Sequence, residues 1–335
     1  MPKIVANGLT TYYQQSGQGS DVVLIHGLTG NLSTWYLHVM PALAKEFRVT
    51  AYDLRGHGYS ELTPSGYTSA HFAADLEGLL DRLGIERAHL VGYSFGATVA
   101  LHYAVLYPSR VASLVLAEPW ISVLRPLVDL KKWPYREAAH ARFKARGLAI
   151  PEERWLDVDY VLREAIRVQR ESGGPRPQPE SSPFRVLDPT QRANPKEVWQ
   201  FLAERWSAPR RLLRLLDDTS AMKEAVEVAG LTMERIAEVR QPTLAIYGEF
   251  SPFLQLVPRV QAAMPNCQVL VLEGATHYFA LVNPELLMAA VRKFLHELTN
   301  AVAAPPGEMS GSTERPCVTA AIPATERPGV DGGGS

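Results

Sequence analysis

Ser94 stands between Gly92 and Gly96 in the stretch AHLVGYSFGATVALHYA, residues 88–104. An apolar run ends at Gly92 and an amphipathic, helix-like run begins at Phe95, so the hydroxyl falls where a strand turns into a helix. A tight turn there pushes its central side chain outward. The two glycines let strand and helix approach closely around it. The N-terminus of the following helix directs free N–H groups and its dipole toward the hydroxyl, which favours developing negative charge. G-x-S-x-G alone also fits a glycine-rich turn. The strand before it and the helix after it point to a nucleophile.

A serine hydroxyl attacks a carbonyl only when a base takes its proton. His277, in EGATHYFALVNPE, lies past the last apolar strand run and before the last helical run, which brings it to the same sheet edge as Ser94. His26, His38, His57, His71, His89, His102, His140 and His296 lack that placement beside a small-residue turn. The oxyanion needs two donors. One is the backbone N–H of Phe95, after the nucleophile. The other comes from HGLTG, residues 26–30, directly after a strand, with the N–H of Leu28 best placed.

The elements that must hold these groups follow from periodicity. Residues 9–15 read as an edge strand, and 21–25 as a short buried strand ending at His26-Gly27. Residues 33–44 carry helical spacing, and 47–52 form a strand closed by DLRGHGYS. Phe72, Leu76, Leu79, Leu80 and Leu83 share a helix face over 69–83, with Gly84 as its stop. Further strands are predicted over 112–117, 243–247 and 268–272, with helices near 256–263 and 284–298. Continuous apolar strands alternating with helices are the mark of a parallel sheet covered on both faces. From about 121 to 240 the series breaks into helical, Arg- and Trp-rich chain, interrupted by GGPRPQPESSP at 173–183, which is neither helix nor central strand.

The 335 residues suffice for one large domain with an insertion. A formal net charge of -1 gives no reason to expect nucleic acid or a membrane surface as partner. Cys267 and Cys317 are too far apart, and too few, for a zinc spacing or a disulfide framework. The N-terminal residues lack the apolar stretch of a signal peptide, and no run approaches a membrane span. A cytoplasmic protein is expected, with no metal. The oligomeric state is left open.

HGLTG, DLRGHGYS at 53–60, VGYSFG at 91–96, YGEF at 247–250 and GATH at 274–277 occur in one order. With these pieces the chain resembles the α/β-hydrolase superfamily over about residues 9–299. The resemblance implies an α/β-hydrolase fold: a mostly parallel, doubly wound sheet with a helical cap inserted after the sixth strand. The hydrolase core then covers 1–120 and 241–299, the cap 121–240, and a disordered tail 300–335. It also implies a Ser–His–acid triad, no cofactor, and attack on an ester, thioester, amide or related carbonyl. Dehalogenase and epoxide hydrolase branches carry aspartate where Ser94 stands. Asp53 and Arg55 in DLRGHGYS are expected to tie loops together, and His57 in that turn is not expected to react.

The chain departs from that pattern at the acid. The family places an aspartate two residues after the glutamate of YGE, and here Ser251 occupies that position. A serine cannot carry the charge that orients the histidine. Glu118, ending SLVLAEPW one strand after the nucleophile strand, is the expected replacement. Glu249 is the alternative, and a triad without a functional acid stays open. Asp217 and Asp218 are expected to be solvated helix-end charges.

Trp35, Tyr93, Trp120, Phe253 and Tyr278 lie at strand-end loops and are candidate pocket residues. The cap adds Trp133, Trp155, Trp199 and Trp206 and most of the arginines and lysines. This composition fits solvated amphipathic helices. It also fits a tunnel for an acyl chain with a basic entrance, suited to a small-molecule or carrier-protein-bound acyl substrate. The leading expectation is a serine hydrolase of esters or thioesters, with a thioesterase of specialised acyl metabolism as one form. A carboxylesterase or lactonase, a carbon–carbon bond hydrolase, a cofactor-free peroxidase-like activity and an acyl transferase or cyclase use the same site. A slow-turnover binding protein is the reading from another class.

Overall fold

The computed structural model describes residues 2–36, 38–145, 147–171 and 209–303. Its strands are β1 (Lys3–Ala6), β2 (Leu9–Ser16), β3 (Asp21–Ile25), β4 (Arg48–Tyr52), β5 (Ala88–Tyr93), β6 (Val111–Ala117), β7 (Thr243–Gly248) and β8 (Cys267–Leu272). They form one eight-stranded sheet in the order β1-β2-β4-β3-β5-β6-β7-β8. β1 and β2 are antiparallel to their neighbours, and every pairing from β4 to β8 is parallel. β1 was not expected from the sequence, because four mostly exposed residues carry no readable period.

Continuous apolar strands hide an alternation of faces. Along β5 and β6, Leu90, Leu114 and Leu116 join one core with Phe72, Leu76 and Val99. Val91, Val115 and Ala117 join the other with Leu43, Leu287 and Val291. The helices Ser69–Leu83 and Phe95–Leu106 therefore cover one face and Pro284–Ala303 the other. The first of these is capped at Thr68, whose side chain accepts from the His71 N–H, and stopped at Gly84 with φ 63°.

Three expectations need correction. The run 33–44 is two short helices, Ser33–Tyr36 and Val39–Leu43. Pro41 has no N–H to donate and is tolerated only in the first turn of the second. The helix after Ser94 is not amphipathic, since every residue from Phe95 to Ala104 is buried. It packs against β5, β6 and the helix Ser69–Leu83, so it has no wet face. The final helix runs to Ala303, past the boundary placed at 299.

Between β6 and β7 the described residues form helices, including Arg136–Ala145, Val158–Glu171 and Pro209–Asp217, and no strand. The segment 173–183, Trp199, Trp206, Cys317 and the tail from 304 onward lie outside the described residues. Among the described residues, no helix is long and apolar enough to cross a membrane.

Candidate active site

Parallel registry brings the carboxyl ends of the central strands side by side, with Ile25 opposite Gly92, Tyr93 opposite Ala117, and Ala117 opposite Ile246. The loops that leave this edge carry Gly27, Ser94, Glu118, Ser251 and, after β8, His277. Open α/β sheets place ligands at this edge.

Ser94 donates its N–H to Ala117 O at 2.8 Å and then turns at φ 54°, ψ −118° into the helix Phe95–Leu106. A non-glycine residue in that region is strained and is held by its surroundings. The close approach is visible at the two glycines. A Cβ at Gly92 would lie 2.4 Å from Gly96 O, and one at Gly96 would lie 2.2 Å from Ile25 O. The loop after β3 presses on the same turn, since a Cβ at Gly27 would meet Ser94 Cβ at 3.2 Å. Leu28 and Phe95, the two expected oxyanion donors, both border the cavity that Ser94 faces.

Glu118 follows β6 at φ 51° and is fully buried. Its Oε1 accepts from the Gly248 N–H at 2.6 Å. Its Oε2 accepts from Ser251 Oγ at 2.6 Å and meets His277 Nδ1 at 3.0 Å. A buried carboxylate is tolerated only when its lone pairs are answered, and three donors answer this one. In a neutral imidazole the contact places the proton on Nδ1, facing Glu118, and leaves Nε2 without one. Tyr93 supports the same loop by donating its hydroxyl to His277 O at 3.0 Å.

Glu249 is occupied elsewhere. It accepts from the Gly274 N–H at 2.9 Å and from the Tyr135 hydroxyl at 3.4 Å. Asp217 and Asp218 are half-exposed partners of Arg163 and Arg214. Asp53 accepts from the Leu32 and Tyr59 N–H groups, and Arg55 pairs with Asp75 at 2.6 Å, so this turn is an anchor for loops. His57, also in that turn, contacts Leu28 O through Nε2, and burial lowers its pKa.

The cavity holds about 640 Å³ and lies between this sheet edge and the helical chain between β6 and β7. Tyr93, Trp120, Phe253 and Tyr278 line it, with Trp133 and Trp155 from the helical chain. Burial, then the Glu118 charge, raises the Tyr278 hydroxyl well above its usual pKa. Trp35 is corrected: it is fully buried in the core beneath the sheet and does not border the cavity. It sits in the short helix Ser33–Tyr36, and it is the neighbouring Thr34 that reaches the cavity. Sequence reasoning missed Ser251 as a donor and Arg125 as a cavity residue. The signal for Ser251 was a hydroxyl at the family's usual acid position, with Glu118 at the neighbouring strand end. Among the described residues, no group of His, Cys, Asp and Glu could hold a metal ion.

The profile of the alpha/beta hydrolase fold family matches residues 22–284. The chain belongs to the α/β-hydrolase family. This α/β-hydrolase is 26% identical over 298 residues to 2-(acetamidomethylene)succinate hydrolase of Mesorhizobium japonicum, covering 86% of this chain and 92% of that protein. It is 42% identical over 117 residues to 2-hydroxymuconate semialdehyde hydrolase of a Pseudomonas species, a match spanning 34% of this chain and 41% of the relative. The solved enol-lactonase from Burkholderia xenovorans shares the fold, with a TM-score of 0.54 at 21% identity over 88% of this chain and 100% of that one.

Proposed function

We propose that this α/β-hydrolase cleaves a carboxylic ester or thioester through an acyl-enzyme on Ser94, with His277 as base and Glu118 as the acid of the triad. The contact between Glu118 Oε2 and His277 Nδ1 carries this reading. The aspartate expected at the usual position is absent, and a fully buried carboxylate from the neighbouring strand end meets the histidine instead.

In the forward step His277 Nε2 takes the Ser94 Oγ proton as Oγ bonds to the carbonyl carbon. The negative charge collects on the former carbonyl oxygen, against the N–H groups of Leu28 and Phe95. Collapse breaks the bond to the leaving alcohol or thiol, which takes the proton from His277. Water then adds to the acyl-enzyme as His277 accepts one of its protons. That proton returns to Ser94 Oγ as the carboxylic acid leaves. Throughout, Glu118 holds the Nδ1 proton and stabilises the imidazolium without itself being protonated. The described helical chain between β6 and β7 acts as a cap that closes the apolar wall around the acyl group.

The test is hydrolysis of a p-nitrophenyl ester series of increasing acyl length, and of the matching pantetheine thioesters. Wild type, Ser94→Ala, Glu118→Gln and Glu249→Gln are compared. The expected result is a loss of about a thousandfold or more for Ser94→Ala and Glu118→Gln, with Glu249→Gln within about tenfold of wild type. A wild type no faster than Ser94→Ala on every ester and thioester, with Ser94 unlabelled by a fluorophosphonate, overturns the reading in favour of a binding protein.

A further inference from the structure

The cavity wall is mostly apolar, yet its charges are unbalanced. Four lining residues are permanently charged or carboxylate-bearing: Arg125, Asp157, Asp159 and Arg211. Asp157 is paired with Arg154 at 2.9 Å and Asp159 with Arg163 at 2.9 Å, so both acids are already answered. Neither lining arginine has an ion-pair partner among the described residues. Asp157 lies near Arg125 and Asp53 near Arg211, but neither carboxylate forms an ion pair with its arginine, so both guanidinium groups face the cavity without a bonded counter-charge among the described residues.

Arg125 is the better placed of the two. Its guanidinium carbon sits 5.1 Å from the ring centroid of Trp120. The Trp120 ring packs edge-on against Phe253 at 5.3 Å, and Phe253 lies 5.4 Å from the His277 ring. The backbone of Trp120 also reaches Ser94, donating its N–H to Ser94 O at 3.3 Å. These ring contacts form a continuous link from the Arg125 guanidinium to the His277 ring. Of five guanidinium N–H donors, one is engaged, from Nη2 to Leu156 O at 2.9 Å. Burial lowers the pKa of Arg125, and the Asp157 charge nearby raises it. Arg211 is tied down differently: its Nη2 bonds Ser60 O, and its Nε is buried without a partner.

We infer that Arg125 is a specificity-determining residue that binds a carboxylate carried by the substrate, on the Trp120–Phe253 side of the scissile carbonyl. This rests on the hydrolase reading for its catalytic consequence, though not for binding itself. A planar guanidinium with free N–H groups matches a carboxylate in two parallel hydrogen bonds. A neutral acyl chain would leave a half-buried cation unanswered, whereas an acyl chain ending in a carboxylate answers it. The substrate class is thus the monoester or monothioester of a dicarboxylic acid, or another acyl donor with an anionic terminus.

The test compares mono-4-nitrophenyl glutarate with its methyl ester, which has nearly the same shape and no charge. kcat/KM is measured for wild type, Arg125→Lys, Arg125→Gln and Arg211→Gln. The expected result is a wild-type preference for the anionic ester of about tenfold or more. Arg125→Gln reduces that preference by about tenfold or more, Arg125→Lys retains part of it, and Arg211→Gln reduces it less. Equal losses on both esters for Arg125→Gln, or a larger effect at Arg211, overturn the inference. Glutarate binding to Ser94→Ala by calorimetry, with and without Arg125→Gln, reads the subsite without turnover. Weakening of about tenfold by Arg125→Gln supports it even if no ester is hydrolysed, and no glutarate binding overturns it. The fluorophosphonate result at Ser94 separately decides the hydrolase reading.

Discussion

Ser251 donates a 2.6 Å hydrogen bond to the same oxygen of Glu118 that meets His277 Nδ1 at 3.0 Å. The residue at the family's usual acid position is a donor to Glu118. Its hydroxyl oxygen also accepts from the Phe253 N–H at 3.2 Å, which starts the short 3-10 helix Pro252–Leu256. One serine thus fixes the carboxylate, the loop after β7 and a wall of the cavity.

Removing that hydroxyl tests whether it positions Glu118. Ser251→Ala leaves one lone pair of a fully buried carboxylate unanswered. A hydrogen bond to a charged group is worth about 1.5–3 kcal/mol, so kcat/KM on the best ester falls about tenfold. Ser251→Thr keeps the hydroxyl and retains most of the activity. A Ser251→Ala enzyme with an unchanged rate would show the bond to be incidental.

Relocating the acid is a stricter test. In Glu118→Gln the donors remain and the charge is gone, which costs about a thousandfold or more in kcat. Adding Ser251→Asp restores a carboxylate at the family's usual site, and the double variant recovers at least about tenfold over the single. Ser251→Asp alone places two carboxylates in contact, where both cannot ionise freely, so it loses activity at neutral pH. A double variant no better than Glu118→Gln would sink the idea that either strand end can serve His277.

What the sequence made legible was whatever has a local signature. Ser94 announces itself by flanking glycines, and the structure gives the reason in backbone distances of 2.2–2.4 Å at Gly96 and Gly92. The parallel core strands were readable as apolar runs. Burial of the helix Phe95–Leu106 on every side was not, because the sequence does not show that β5, β6 and the helix Ser69–Leu83 fold around it. Trp35 misled for the same reason. A tryptophan after an oxyanion loop can face the pocket or the core, and only tertiary packing places its ring, here fully buried. The acid was half legible. Glu118 was readable as a strand-end carboxylate, but not the reach of Ser251 across 133 residues to hold it. Arg125 was one arginine among many, since its lack of an ion-pair partner among the described residues is a property of the folded cavity.

Gly96 yields a backbone prediction. Gly96→Ala drives a methyl group to 2.2 Å from Ile25 O, a backbone atom that cannot swing aside. Overpacking of this kind costs about 1–3 kcal/mol or more, and relief requires shifting the helix off β3. Any Gly96→Ala protein that folds is expected to lose fluorophosphonate labelling at Ser94 as well as several degrees of Tm. A variant with wild-type Tm and labelling would contradict the close approach of helix and strand.

His102 gives the acid sensitivity of the fold. It lies in the helix Phe95–Leu106, 1% exposed, with Nδ1 at 2.9 Å from Ser69 Oγ and a buried Nε2 that has no hydrogen-bond partner among the described residues. Burial first, then the Arg235 charge, lowers its pKa from 6.5 to about 4. The folded protein thus holds His102 neutral, while the unfolded chain takes up a proton once the pH falls below about 6.5. Stability from this group is complete above that pH. It declines as the pH falls and stops declining near pH 4, where the folded form also protonates. Between about pH 7.5 and pH 5 the linkage amounts to about 2 kcal/mol. In denaturant unfolding at the two pH values, His102→Gln should lose less stability on acidification than wild type by about that amount, even if it starts from a lower value. Equal losses in the two proteins would place the acid sensitivity at other groups.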